Sequence, residues 1–416
     1  MPKPIPLCDI DTAAFSFQEA LERLLEATDS VEEAEKIAVS DAVGRFLSRD
    51  VITGIDFPAF RNSAMDGYAL RAEDALPGAI LSVVGVSSAG HPFRGDLHRG
   101  EAVRVLTGAS VPEEADVVIV QERTRLLKNR VELTMLGPPP VGDNIRDQGE
   151  ELKVGQLLLP KHEQVTAQNI GLLASAGLSH VEVFRKLKVA FASTGDELKA
   201  AGAHLERGDI FESNRTVLGA LLHAIGVESF DLGIFPDDRD LIRGKIQAAS
   251  QWADVIITSG GASVGDADFV VDVLRELGHI TFWKVAIKPG KPFVLGQVGS
   301  AKFIGLPGNP VSMVVTFLQL VRPSLLKMSG FQRWKPFRLK AVSLDQIKKV
   351  PGRLEFQRGI YEIREGALEV TSLSAQGSHR LTSISRANCF IVLPETCSSI
   401  ASGELVFIEP FEAFGL

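Results

Sequence analysis

Between Leu187 and about Lys335 the sequence switches repeatedly between two hydrophobic periods, and this constrains the fold more than any other feature. LKVAFAST, VESFDLGIF and DVIITSG are short β-rich runs. Between and after them, NRTVLGALLHAIG, LIRGKIQAASQW and DFVVDVLRELG carry helical spacing, the first capped by Ser213. ITFWKVAI, FVLGQV and KFIGLPG read as further strands and VSMVVTFLQLV as a last helix. Alternating helices and apolar strands dictate a doubly wound, mostly parallel α/β sheet covered on both faces. Ligands of such sheets bind at the carboxyl ends of the strands.

The flanks have other textures. Ser16-Phe17-Gln18-Glu19 is a capping box, and Phe17, Ala20, Leu21, Leu24 and Leu25 form one apolar helix face. VEEAEKIAV is helical in pattern, with Ile37 and Val39 alternating as in a short strand. From Val51 to Pro140, AILSVVGV, EAVRVLT and ADVVIVQE are β-rich runs between turns, and LLKNRVEL is a hairpin across Lys128-Asn129. QNIGLLASAGL returns to helix. From Lys335 the runs are short and strand-like, which predicts a small β-barrel or sandwich. The expected division is an elongated discontinuous domain of 1–50 and 145–186, a β-rich insert at 51–144, an α/β domain at 187–335 and a C-terminal β-barrel at 336–416.

Composition excludes several function classes. Lys plus Arg is 44 and Asp plus Glu 52, so the net charge is −8 and no nucleic acid is expected as partner. VSMVVTFLQLV is about half the ~20 residues a membrane span needs, so no membrane is expected either. MPKPIPLCDID has no apolar core of a signal peptide. Cys8, Cys389 and Cys397 are too scattered for a disulfide framework or zinc site, and a reducing cytoplasm is the expected location.

The loops after the strands carry the chemistry. They are STGDEL with Asp196 and Glu197, PDDRD with Asp237 and Asp238, SGGASVGDADF with Asp266 and Asp268, KPGKP with Lys288 and Lys291, and LPGNP with Pro307 and Pro310. Gly-rich turns expose N–H groups to anions, and lysines add positive charge. Carboxylates crowded on neighbouring loops repel unless a divalent cation lies among them, and hard oxygen donors suit Mg²⁺ at a phosphate. The blander alternative is that Asp237, Asp238 and Asp268 cap helices and KPGKP is a turn. Gly261 to Gly265 also matches G-x-S-x-G, with Ser263 as nucleophile and His279 or His379 as partner. Its neighbouring glycines fit a wide loop better than a sharp elbow. FPAFRNSAMDGYAL, TGAS and NIRDQGEEL concentrate polar groups outside regular elements.

In chain order, SAMDGYA, TGA, ADVVIVQE, NIR..GEE, STGDEL, ESN, SGGASVGDADF, KVAIKPGKP and LPGNP resemble the molybdopterin molybdenumtransferase family, which includes the C-terminal region of gephyrin. The resemblance runs from about Phe15 to the C-terminus. It implies insertion of molybdate into adenylylated molybdopterin, with Mg²⁺-dependent cleavage of the phosphoanhydride and release of AMP. By motif it implies Asp66 and Thr107 from the β-rich part and Arg146 and Glu151 from NIR..GEE. From the α/β part it implies Glu197, Asp237, Asp268, Lys284, Lys288, Lys291, Pro307 and Pro310. Arg353 and Ser378 would lie at the rim. Of these, Glu197, Asp237 and Asp268 would orient Mg²⁺ or the attacking water, and the lysines would neutralise pyrophosphate and oxyanion charge. Glu151 departs from the Asp frequent in the family, which extends its reach by one methylene. The resemblance also implies a homodimer with shared sites, and transient contacts with the molybdopterin adenylyltransferase and molybdoenzyme chaperones. A gephyrin-like peptide-anchoring module is the competing reading, against which the full set of carboxylates and lysines argues.

Overall fold

The structure is a computed structural model and describes residues 14–261, 269–332 and 334–415, with the backbone alone for Phe282 and Trp283. The chain forms two compact units. One takes the described residues of Met1–Glu35, Gly44–Ser48 and Val183–Leu416, the other Lys36–Val43 and Arg49–Glu182.

The first unit is built on a six-stranded sheet. Its order is Glu228–Phe235, Lys188–Thr194, Val255–Ser259, Ala301–Leu306, Pro292–Val298 and Gly278–Lys284. The first four strands are parallel, Pro292–Val298 runs antiparallel to them, and Gly278–Lys284 pairs antiparallel to it and so shares the direction of the first four. The reversal has a local cause. Pro292–Val298 and Ala301–Leu306 are separated by Gly299 and Ser300 alone, too short a link for the crossover that parallel pairing requires. Gly299 turns with φ +59°.

Helices Asn214–Ile225, Arg239–Ala249 and Phe269–Leu277 cover the sheet. The last helix is longer than the apolar string suggested. Pro310–Met328 continues for 19 residues through a π-helical turn at Phe317–Val321. By length and composition it could cross a bilayer, but 89% of its apolar window is buried inside the protein, so here it serves as a core helix. Arg322 and Pro323 do not stop it, because Pro323 falls in the first turn after the π segment, where a missing N–H costs least.

The capping box of the first helix forms as expected: Glu19 N–H donates to Ser16 Oγ, and Ser16 N–H to Glu19 Oε2. Phe17, Leu21 and Leu24 of that helix, Phe17–Glu26, join the core of the α/β sheet and the C-terminal strands, with Phe17 edge-on to Phe356 at 5.9 Å. Fully burying a residue such as Leu24 stabilises by about 2–3 kcal/mol. The C-terminal strands close into a five-stranded barrel: Leu354–Arg364, Ala367–Ser372, Leu339–Ser343, Leu405–Pro410 and Cys389–Leu393, which returns to the first. Closure removes free sheet edges.

The second unit is mostly β. Six strands run in the order Val117–Val120, Gly67–Leu70, Glu101–Val105, Ile80–Ser87, Arg130–Leu133 and Thr124–Leu127. The last two form the expected hairpin, turning at Lys128 with φ +50°. Leu157–Leu159 pairs with Val51–Ile52, and Ile145–Arg146 with Asn62–Ser63. VEEAEKIAV proves to contain a strand, Ala34–Ala38. QNIGLLASAGL lies on helix Ala167–Ser175, which has its own capping box through Thr166 and Asn169.

Candidate active site

In the first unit the ends of the parallel strands open onto a cavity of about 740 Å³. Its walls include Glu197, Asp237, the Gly260–Gly261 turn, the Pro307–Gly308 turn, Pro310 and His379. Of the residues implied by the sequence, Glu197, Asp237, Pro307 and Pro310 therefore meet here. Ser263, Asp266 and Asp268 lie outside the described residues.

Local conformation explains these placements. After Lys188–Thr194 the chain turns at Gly195, φ +146°, where an added Cβ would fall 2.5 Å from Glu197 Oε2. Only glycine lets the Glu197 carboxylate fold back so closely. Asp237 N–H donates to Asp196 Oδ1 at 2.9 Å, joining two strand-end loops. Burial raises the Asp237 carboxyl above the usual carboxylate range, and the charges of Asp196 and Glu197 push it the same way. Asp238 caps helix Arg239–Ala249, accepting from the N–H groups of Asp240 and Leu241. Asp238 is thus the helix cap, and its neighbour Asp237 lines the cavity.

The next turn is glycine by necessity. A Cβ at Gly260 would lie 2.7 Å from the Thr194 carbonyl oxygen, and one at Gly261 2.4 Å from Val270 Cγ2. Both have positive φ. Opposite, Asn309 precedes helix Pro310–Thr316, and Pro310 takes the first helical position, where its fixed φ suits the start.

The basic residues are arranged differently from the carboxylates. Lys284, Lys288, Lys291, Arg353 and Ser378 are not on the cavity walls. Lys288 Nζ pairs with Glu355 Oε1 at 3.1 Å, where Glu355 is nearly buried and also accepts from Gln357 Nε2. Lys291 is exposed, and its carbonyl accepts from Val285 N–H. Lys284 ends strand Gly278–Lys284 opposite Pro292. Arg353 sits exposed in the turn before strand Leu354–Arg364.

Arg358, which sequence reasoning passed over, is 1% exposed. It donates to the carbonyls of Ala375 and Gly377 and to Ser383 Oγ. It thereby fixes the loop that carries Ser378 and brings His379 to the cavity. Burial pulls its guanidinium down to about 10. The Ser378 carbonyl accepts from Val311 N–H, which ties this loop to the helix that begins at Pro310 of the cavity wall. The signal in the sequence was weak: one arginine among several polar residues of a strand, RLEFQRGI.

In the second unit, Asp66, Thr107 and Arg146 come together. Asp66 Oδ1 accepts from the N–H and Oγ1 of Thr107, both at 2.7 Å, and these bonds hold its carboxyl below the usual range. Gly108 N–H donates to the Ser63 carbonyl, and Asn62 pairs with Arg146. SAMDG, TGA and NIR therefore form one cluster. Arg104 supports it by donating to Tyr68 and Gln121, whose N–H in turn holds the Asp66 carbonyl. Glu151 is exposed, with its N–H on the Phe57 carbonyl.

Among the described residues no three His, Cys, Asp or Glu side chains converge at metal-holding distance. Glu197 and Asp237 nevertheless suit a hard cation that takes few protein ligands. Mg²⁺ keeps waters and completes its octahedron with substrate phosphate oxygens.

Comparison with known proteins agrees across the chain. Residues 15–177 match the MoeA N-terminal region (domain I and II), 190–327 a probable molybdopterin binding domain and 340–411 the MoeA C-terminal region (domain IV). The molybdopterin molybdenumtransferase of Haemophilus influenzae is 43% identical over 398 residues, which cover 95% of this chain and 98% of that one. The enzyme of that name from a Nostoc species is 35% identical over 98% of this chain and 95% of its own. The crystal structure of a molybdopterin biosynthesis MoeA protein from Pyrococcus horikoshii superposes with a TM-score of 0.83 at 30% identity, covering 95% of this chain and 99% of that one.

Proposed function

Because the chain belongs to the molybdopterin molybdenumtransferase family, enzymes of molybdenum-cofactor biosynthesis, we propose that it inserts molybdate into adenylylated molybdopterin and releases AMP in a Mg²⁺-dependent step. The observation that carries this reading is the meeting of Glu197 and Asp237 with two glycine-bearing turns in one cavity. Mg²⁺ held by Glu197, Asp237 and substrate phosphates would neutralise charge and polarise the phosphoanhydride. The protein's own part is orientation and electrostatics. The absence of a Cβ at Gly195 leaves the Glu197 carboxylate room to lie against the turn. Asp237 has a raised proton affinity, so a cation beside it gains from relieving the repulsion of Asp196 and Glu197. Water adds across the phosphoanhydride: one P–O bond breaks, and AMP and the molybdopterin phosphate separate. Two Mo–S bonds would then form to the dithiolene sulfurs, and one oxygen of molybdate would leave as water with the two thiol protons, with no change in oxidation state.

The lysines of KPGKP would serve approach and binding of the anionic substrates from outside the cavity wall. The cluster of Asp66, Thr107 and Arg146 would complete the site of a second copy in a homodimer, consistent with the exposure of Thr107 and Arg146 beside a half-buried Asp66. Mixing Asp66→Asn with Glu197→Gln chains tests that arrangement, since shared sites recover up to about a quarter of the total on random exchange.

Purified protein is to be incubated with adenylylated molybdopterin, molybdate and Mg²⁺, with AMP followed by chromatography. AMP release should require both ions and fall by ~10²-fold or more in Glu197→Gln. Release at the wild-type rate in that variant would remove the cavity from the mechanism.

A further inference from the structure

Among the cavity-wall residues to which the function above gives no role is Asn214, the last of the string ESN. Its amide links three elements. It opens helix Asn214–Ile225, and its Nδ2 donates to Ser259 Oγ at 2.9 Å and to the Gly308 carbonyl at 2.7 Å. Ser259 ends strand Val255–Ser259, and Gly308 lies just past strand Ala301–Leu306. A carbonyl can only accept, so Gly308 decides which end of the amide faces it.

Oδ1 is thereby turned away, and it is buried with no hydrogen-bond partner. Four other buried side-chain atoms share that condition among the described residues. Glu212 Oε2 and Arg215 Nε lie 3.6 Å apart and relieve each other as a stretched ion pair. The other two, on Thr258 and Ser324, are hydroxyls. Asn214 Oδ1 has no such relief. An unpaired buried acceptor offsets much of what hydrogen bonds return, so asparagine is a poor choice here for stability alone. What it secures is geometry. The Gly308 turn meets the Gly260 turn closely enough that a Cβ on Gly308 would sit 3.8 Å from Gly260 Cα.

We propose that Asn214 is a positioning residue for the reaction: by holding the Gly308 carbonyl it sets the Pro307–Gly308–Asn309 turn against the Gly260–Gly261 turn, and so fixes the backbone wall against which the substrate's phosphoanhydride lies. The claim rests on the reading of this cavity as the phosphoanhydride site. It assigns no contact with reacting atoms to Asn214. The wall holds its anion before the chemistry as well as during it, so its loss falls on KM. A purely structural defect would instead lower the active fraction, and with it kcat alone.

The test compares wild type, Asn214→Ala and Asn214→Asp by steady-state AMP release and thermal melting. Asp keeps an oxygen at Oδ1 but sets a second acceptor against the Gly308 carbonyl, so it should fail as Ala does. Expected for both is a rise in KM of about tenfold or more, the loss of roughly one hydrogen bond to the turn, with melting of Asn214→Ala within about 3 °C of wild type. Three outcomes overturn the proposal: a KM within threefold of wild type in Asn214→Ala, a fall in kcat at constant KM, or restored KM in Asn214→Asp. The last would mean that Oδ1 matters rather than the donated bonds. A wild type that releases no AMP would instead refute the functional reading itself, so the two failures are distinguishable.

Discussion

Gly260→Ala should damage this enzyme where Gly308→Ala does not, although both glycines face the same cavity. Gly260 has φ +93°, a conformation that costs an L-residue about 1–2 kcal/mol. Its new Cβ would also stand 2.7 Å from the Thr194 carbonyl oxygen and 2.9 Å from Thr194 Oγ1. Backbone of a central parallel strand yields poorly, and overpacking of this kind costs about 1–3 kcal/mol more. The sum is about 2–5 kcal/mol. At roughly 2–4 °C per kcal/mol for a unit of this size, the melting transition should fall by about 5 °C or more. Gly308 has no positive φ, and its Cβ would make an ordinary contact at 3.8 Å. That variant should melt within about 2 °C of wild type. Differential scanning fluorimetry on both, with AMP release alongside, decides the matter. Equal melting of the two variants would refute the steric reasoning.

Asp237→Asn should raise stability at neutral pH while abolishing turnover. The raised carboxyl of Asp237 contributes stability that is fully present below its ordinary value near 4 and is lost as pH rises through the raised one. In metal-free buffer the melting advantage of the variant should therefore grow with pH across that window and shrink on adding Mg²⁺; a pH-independent difference would contradict this. Lys288→Ala should lower stability by about 1–3 kcal/mol, because Glu355, 5% exposed at its side chain, loses its cation. Adding Glu355→Gln should recover most of that loss in denaturant titrations, and no recovery would mean that the pair does not carry the effect. Cys389 is fully buried and its thiol is pushed up to about 12, by burial first and the nearby Glu412 second. Iodoacetamide at pH 8 should leave it unmodified in the native protein and modify it after denaturation, as read by mass spectrometry.

Much of the fold was legible because local and tertiary preferences agree. Ser16 and Glu19 announce a helix start that forms as written, and Lys128-Asn129 turns the hairpin between two alternating runs. Other features depended on partners distant in sequence. That Pro292–Val298 runs antiparallel follows from the two-residue link at Gly299-Ser300, a count the hydrophobic pattern alone does not make. The helix through Arg322 and Pro323 looked finished at Val321, because nothing local shows that a π turn absorbs the proline. In the site, the strand-end rule found Glu197 and Asp237, since topology alone carries those loops to one edge. The lysines lie off the walls of that cavity, because a charged loop at the right edge says nothing about which way its side chains lean. Arg358, and the part Asn214 plays within ESN, escaped notice for the opposite reason. Their roles consist of bonds to backbone carbonyls, which leave no pattern in a sequence.

The central claim is that one cavity couples cleavage of the phosphoanhydride to insertion of the metal. The most direct test measures both products in one reaction: AMP by chromatography and pterin-bound molybdenum by elemental mass spectrometry, after wild-type protein meets adenylylated molybdopterin, Mg²⁺ and limiting molybdate. One molybdenum should be bound per AMP released, with both lost together in Glu197→Gln. AMP released in full without molybdate, or molybdenum inserted while the phosphoanhydride stays intact, would contradict it.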